Sequence, residues 1–97
     1  MKLNIKEFME TEMGYELDET IHAWNAASEQ MDKAKSAGNE KDYEEWNNTC
    51  MCCQECWSVI KTAMKQFYNV DLKFVYTDEY FGVCTKDESL WLIKEAR

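Results

Sequence analysis

The chain has no proline, only three glycines and a single histidine among its 97 residues. With so few chain-breaking residues, sharp corners are rare and long regular elements are expected. Cations are scarce as well. Eleven Lys and Arg stand against 19 Asp and Glu, a net charge of −8. That balance argues against a protein that grips nucleic-acid phosphates or an anionic membrane surface, and it suits a basic partner. No apolar run approaches the ~18 residues of a membrane span. The opening residues, Met1 to Ile5, meet charged positions without an apolar h-region, so the expected location is cytoplasmic, with reduced thiols. There is no glycine-rich phosphate loop and no nucleotide fingerprint. No pair of carboxylates sits in an apolar setting that would raise a pKa. Neither an enzyme nor a cofactor is expected.

What the chain does have is one long apolar stripe. Tyr43, Trp46, Cys50, Cys53, Trp57, Ile60, Met64 and Phe67 follow one another in steps of 3, 4, 3, 4, 3, 4 and 3. Only a helix places such residues on one face. Aromatic residues supply much of the remaining core material, with four Trp, five Tyr and four Phe. The length suits one domain.

Helices are predicted over about 5–13, 19–37 and 40–68. Asn4 and Glu7 have capping-box spacing at the first, and Gly14 is expected to end it in the left-handed region. Asp18 is the expected N-cap of the second helix, Gly38 its end, and Asn39 the N-cap of the third. Asn47-Asn48-Thr49 is a run of poor helix formers, but the stripe keeps its register through it. After Asn69 the hydrophobic period falls to two, which predicts strands at about 72–77, 80–85 and 90–95. Residues 88–97 are also compatible with a helix. The predicted class is α+β: a short N-terminal helix, a long antiparallel helical hairpin, and a small three-stranded antiparallel sheet packed on the hairpin's open end.

Gly38-Asn39 is too short a link for anything but an antiparallel hairpin. A turn symmetric about it pairs residues whose numbers sum to about 77. Met31 then meets Trp46, Ala27 meets Cys50, Trp24 meets Cys53 and Ile21 meets Cys56. The shorter second helix leaves the last ten residues of the third overhanging. The sheet and the first helix should cover Trp57, Ile60, Met64 and Phe67, and the turn should project.

Five cysteines invite a chemical reading: Cys50, Cys52, Cys53, Cys56 and Cys84. Structural zinc commonly takes two ligand pairs held by turns. Here there is no second CxxC, and His22 lies off its helix's apolar stripe. Small apolar fillers opposite Trp24 and Ile21 are the expected role, and no metal is expected. A small thiolate metal-binding protein stands as an alternative.

The acidic residues fall in three groups. Glu7, Glu10, Glu12, Glu16, Asp18 and Glu19 form the first. Glu40, Asp42, Glu44 and Glu45 crowd the projecting turn. Asp78, Glu79, Asp87 and Glu88 occupy the two strand turns. The plain reading is solvated surface. The sharper one makes the second and third groups a docking face for a basic protein groove that handles nucleic acid, since carboxylates present charge much as phosphates do. In profile the chain resembles accessory or inhibitor proteins of phage and other mobile elements, a likeness of composition alone. The expected function is a non-enzymatic binder that inhibits or modulates such a partner, without direct contact to nucleic acid or membrane. A structural homodimer built on the long helix is the alternative of another class.

Overall fold

Asn4 starts the first helix as expected. Its side-chain oxygen accepts the Glu7 N–H at 3.1 Å. That helix, α1 (Ile5–Met9), is short, because Thr11 begins a new one. The Thr11 hydroxyl donates to the Phe8 carbonyl at 2.6 Å and accepts the Gly14 N–H at 3.2 Å. It thereby closes α1 and caps α2 (Glu12–Ala37) in one residue. This corrects two expectations, a first helix over 5–13 and a second starting at 19. Gly14 is not a helix stop. A Cβ there would lie 2.2 Å from the Phe8 carbonyl oxygen, so glycine allows α1 to fold back onto the first turn of α2. Asp18 is a helix-interior residue whose carbonyl sits 2.8 Å from His22 Nδ1.

The computed structural model describes residues 3–97. Gly38, at φ 70°, ends α2 in the left-handed conformation that glycine adopts without strain. Asn39 caps α3 (Glu40–Tyr68) by accepting the Asp42 N–H at 3.1 Å. Residues 47–49 are helical, and α3 runs on to Asn69, itself left-handed at φ 54°. At 26 and 29 residues the two helices are roughly 39 and 43 Å long. The expected length mismatch is therefore mostly absent.

The sheet is a meander, ordered β1 (Leu72–Tyr76), β2 (Tyr80–Thr85), β3 (Trp91–Ala96), with both pairings antiparallel. The C-terminal segment is thus a strand. Phe74, Val83 and Ile93 stand in register and share a face. Phe74 stacks on Trp24 of α2 at 4.5 Å between ring centroids, and Phe81 meets His22 edge-on at 5.6 Å. Beneath lies the core: Phe8, Leu17, Ile21, Ile60, Met64, Leu72, Phe81, Val83, Leu92 and Ile93. All of it sits at the open end of the hairpin. The closed end projects, because the sheet packs only on the other.

Two details of the hairpin differ from expectation. The Cys50 thiol touches both Met31 Sδ, at 3.3 Å, and Ser28 Oγ, at 3.8 Å, so the seam stays close to the expected register. Cys56, expected against Ile21, is nevertheless exposed. The apolar stripe also leaves the buried face at both ends. Tyr43, Trp46 and Phe67 are exposed and Trp57 is half-buried. A strict 3.5-residue repeat drifts by ~20° per heptad on a straight helix, so a stripe over three heptads turns away from its partner.

Candidate interaction surface at the hairpin tip

The tip is built by caps and helix starts. Gly38 and Asn39 turn the chain, and the first two turns of α3 carry Glu40, Asp42, Glu44 and Glu45. Acidic side chains suit this helix terminus, where free N–H groups carry partial positive charge. All four are exposed. Asp42 accepts the Asn39 side-chain amide at 2.9 Å. Among the described residues the ion pairs lie elsewhere, Asp71 with Lys65 and Glu88 with Lys73, and the His22 ring nitrogens lie 3.3 and 3.7 Å from the Asp18 and Glu95 carboxylates. The four tip carboxylates form none of these pairs, although Lys41 and Lys35 lie on the same end of the hairpin.

Tyr43 and Trp46 stand on the same segment, each more than a third exposed. The sequence pattern assigns both to the core. A shallow, open depression of about 480 Å³ lies beside the turn, lined by Ala34, Lys35, Gly38, Tyr43 and Glu44 among others. The tip therefore offers aromatic surface together with unpaired negative charge. The drift of the stripe was the sequence signal for this, since Tyr43 lies at its outer end.

The strand-turn acids do not form one group. Consecutive turns of a meander lie at opposite ends of the sheet, about 20 Å apart for a six-residue strand. Asp78 and Glu79 are exposed in the β1–β2 turn. That turn is held by Thr77, whose hydroxyl accepts the Glu79 and Tyr80 N–H groups, and by Arg97, which donates to the Thr77 carbonyl at 2.7 Å. Nearby, burial pushes the Tyr76 hydroxyl pKa up; Arg97 opposes this, while Glu29 and Asp32 of α2 reinforce it.

Asp87 and Glu88 belong to the other turn, and both are engaged. Asp87 accepts the Thr85 hydroxyl at 2.6 Å, the Ser89 hydroxyl at 2.8 Å and the Ser89 N–H at 3.1 Å. These hydrogen bonds, Thr85's first, hold its carboxyl at about 2. Glu88 occupies the left-handed region at φ 62° and pairs with Lys73 at 3.4 Å. Of the eight candidate carboxylates, Asp87 and Glu88 are tied into the fold. Glu40, Asp42, Glu44, Glu45, Asp78 and Glu79 face solvent without an ion pair.

The thiols divide by face. Cys50, Cys53 and Cys84 are buried, while Cys52 and Cys56 are exposed. Burial, aided by neighbouring thiols, pushes the Cys53 pKa up, and burial does the same for Cys84. Among the described residues no three His, Cys, Asp or Glu side chains converge on a common point, and no helix is long and apolar enough to cross a membrane. Comparison with protein-family models, curated proteins and solved structures finds no match for this chain.

Proposed function

We propose that the protein is a non-enzymatic binder that docks its hairpin tip on a basic surface of a partner protein, inhibiting or modulating it. The partner class that fits is a protein whose groove handles nucleic acid, because such grooves are lined with Lys and Arg. One observation carries the reading. Glu40, Asp42, Glu44 and Glu45 gather, exposed, at a projecting helix end, and among the described residues none of them is in an ion pair. Tyr43 and Trp46 add the aromatic surface that concentrates binding energy in protein interfaces.

The test compares two variants in capture of the partner and in association kinetics. One changes Glu40, Glu44 and Glu45 to Lys; the other changes the two free strand-turn acids, Asp78 and Glu79, to Lys, and leaves Glu88 with its Lys73 partner. The tip variant should fold normally, since surface changes cost within ~0.5 kcal/mol each. Its association should slow strongly and lose most of its salt dependence. If only the strand-turn variant fails to bind, the contact lies on the sheet. If both bind normally, the acidity serves solubility alone and the proposal falls.

A further inference from the structure

Cysteine is among the residue types most often buried, and packing explains a buried thiol where only reactivity explains an exposed one. On α3 the two kinds stand side by side. Five of the seven residues from Cys50 to Cys56 carry sulfur. Cys50 and Cys53 are buried in the seam of the hairpin, where Cys50 touches Met31 and Ser28. Cys52 and Cys56 are exposed, and neither belongs to the core. Packing accounts for the first pair and leaves the second unexplained.

The exposed pair is spaced by four residues. On a helix that spacing sets two side chains on one face, with Cβ atoms roughly 5–6 Å apart. A cation joining two thiolates holds the sulfurs about 4.6 Å apart, twice a metal–sulfur bond of ~2.3 Å. Rotation about the two Cα–Cβ bonds brings the sulfurs to that separation without disturbing the helix. The thiols form a close group, since Cys50, Cys56 and Cys52 all act electrostatically on Cys53.

We infer that Cys52 and Cys56 form a two-coordinate site for copper(I). The donor count decides the metal. Structural zinc and iron–sulfur clusters take four ligands. Among the described residues no third His, Cys, Asp or Glu converges with this pair, so the argument against zinc stands. Calcium and magnesium require oxygen ligands. Copper(I) is soft, prefers thiolate sulfur, and is satisfied by two sulfurs in a line. Binding replaces two S–H bonds with two Cu–S bonds. Two protons leave, the copper keeps its oxidation state, and the finished site carries one negative charge. It lies about 10 Å along α3 from Glu45 and does not depend on the tip.

Anaerobic titration of the full chain with copper(I), held in solution by the chelator bicinchoninate, tests this. The wild-type chain should withdraw one equivalent from the chelator. Cys52→Ser and Cys56→Ser should each weaken binding about a hundredfold or more, because the second tethered contact is lost. Their circular dichroism should stay unchanged, since both positions are exposed. Cys53→Ala and Cys84→Ala should bind as the wild type does. Spacing separates a built site from a mere supply of thiols. Cys56→Ser with Glu55→Cys puts the second thiol three residues from Cys52, on the same face, and should restore most of the affinity. Cys56→Ser with Ser58→Cys puts it six residues away, on another face, and should restore none. The inference falls if the wild-type chain takes no copper from the chelator, or if Cys53→Ala costs as much as Cys52→Ser. It falls equally if either single variant binds as the wild type does, or if Ser58→Cys rescues as well as Glu55→Cys.

Discussion

The two ends of the hairpin are made from the same pair of helices and differ in what they bury. At the open end Leu17, Ile21, Ile60 and Met64 meet Phe8 and the sheet in one cluster. At the closed end the buried residues are Ala27, Ala34, Cys50 and Cys53, all small. Small side chains let the helices approach closely but remove little apolar surface from water. At roughly 25 cal/mol per Å², the open end contributes most of the hydrophobic stabilisation. The closed end rests on its caps, its helix propensity and its connection to the rest. The lesson is one of division: a chain of modest size stabilises one end well and leaves the other free to present charge and aromatic surface.

The largest contrast comes from emptying each end. Met64→Ala, at a site with no exposure, should cost about 2–5 kcal/mol in urea titration. Cys50→Ala should cost only about 1 kcal/mol, since it removes a single heavy atom. Equal losses would mean that the closed end is a core in its own right.

Two glycines sharpen the comparison at smaller scale. Gly14→Ala drives a Cβ into the Phe8 carbonyl and should cost about 1–3 kcal/mol, with loss of the α1 contact. Gly38→Ala meets nothing, and its cost of about 1–2 kcal/mol arises from the left-handed backbone alone. Gly38→Asn should recover much of that loss, because Asn tolerates this conformation. No such recovery is expected for Gly14→Asn. Thermal melts of the four variants decide it.

The smallest effect belongs to Asp87. Its carboxyl lies at about 2 in the folded protein against an ordinary 3.8. A lowered folded-state value means that its contribution is complete above about pH 3.8 and is lost as pH falls through about 2. Amide exchange at Ser89 and Leu90 should quicken across that window while the α3 amides of the tip stay unchanged. Asp87→Asn should abolish the step.

The class, the element order and the turn at Gly38-Asn39 were legible in the sequence, because period and caps are local signals. Thr11 was missed for a physical reason. Asp18-Glu19 offers equally good capping chemistry, and Gly14 reads as a stop unless one knows that Phe8 lies over it. The stripe on α3 named the right helix face but overstated its reach, since its 3.5-residue spacing does not match a straight helix. Thus Tyr43 and Trp46 were read as core. Acidic turn residues are legible as a set, but their hydrogen bonds are not. Nothing in Asp87-Glu88 alone tells that one braces a turn and the other meets Lys73.

The order of the elements bears on how fast the chain reaches this fold. α1 packs on α2, α2 on α3, α3 on β1, β1 on β2 and β2 on β3, each an element and its successor. Fewer contacts join distant segments, chiefly those of the sheet with α2, through Phe74 on Trp24 and Phe81 on His22, and that of Phe8 with Tyr68. Loops closed early are therefore short, and their closure entropy is small. Folding of such mixed topologies falls between the rates of helical bundles and those of all-β domains. The slow step left to this chain is the return of the finished meander onto α2, when Phe74 finds Trp24 and Phe81 finds His22.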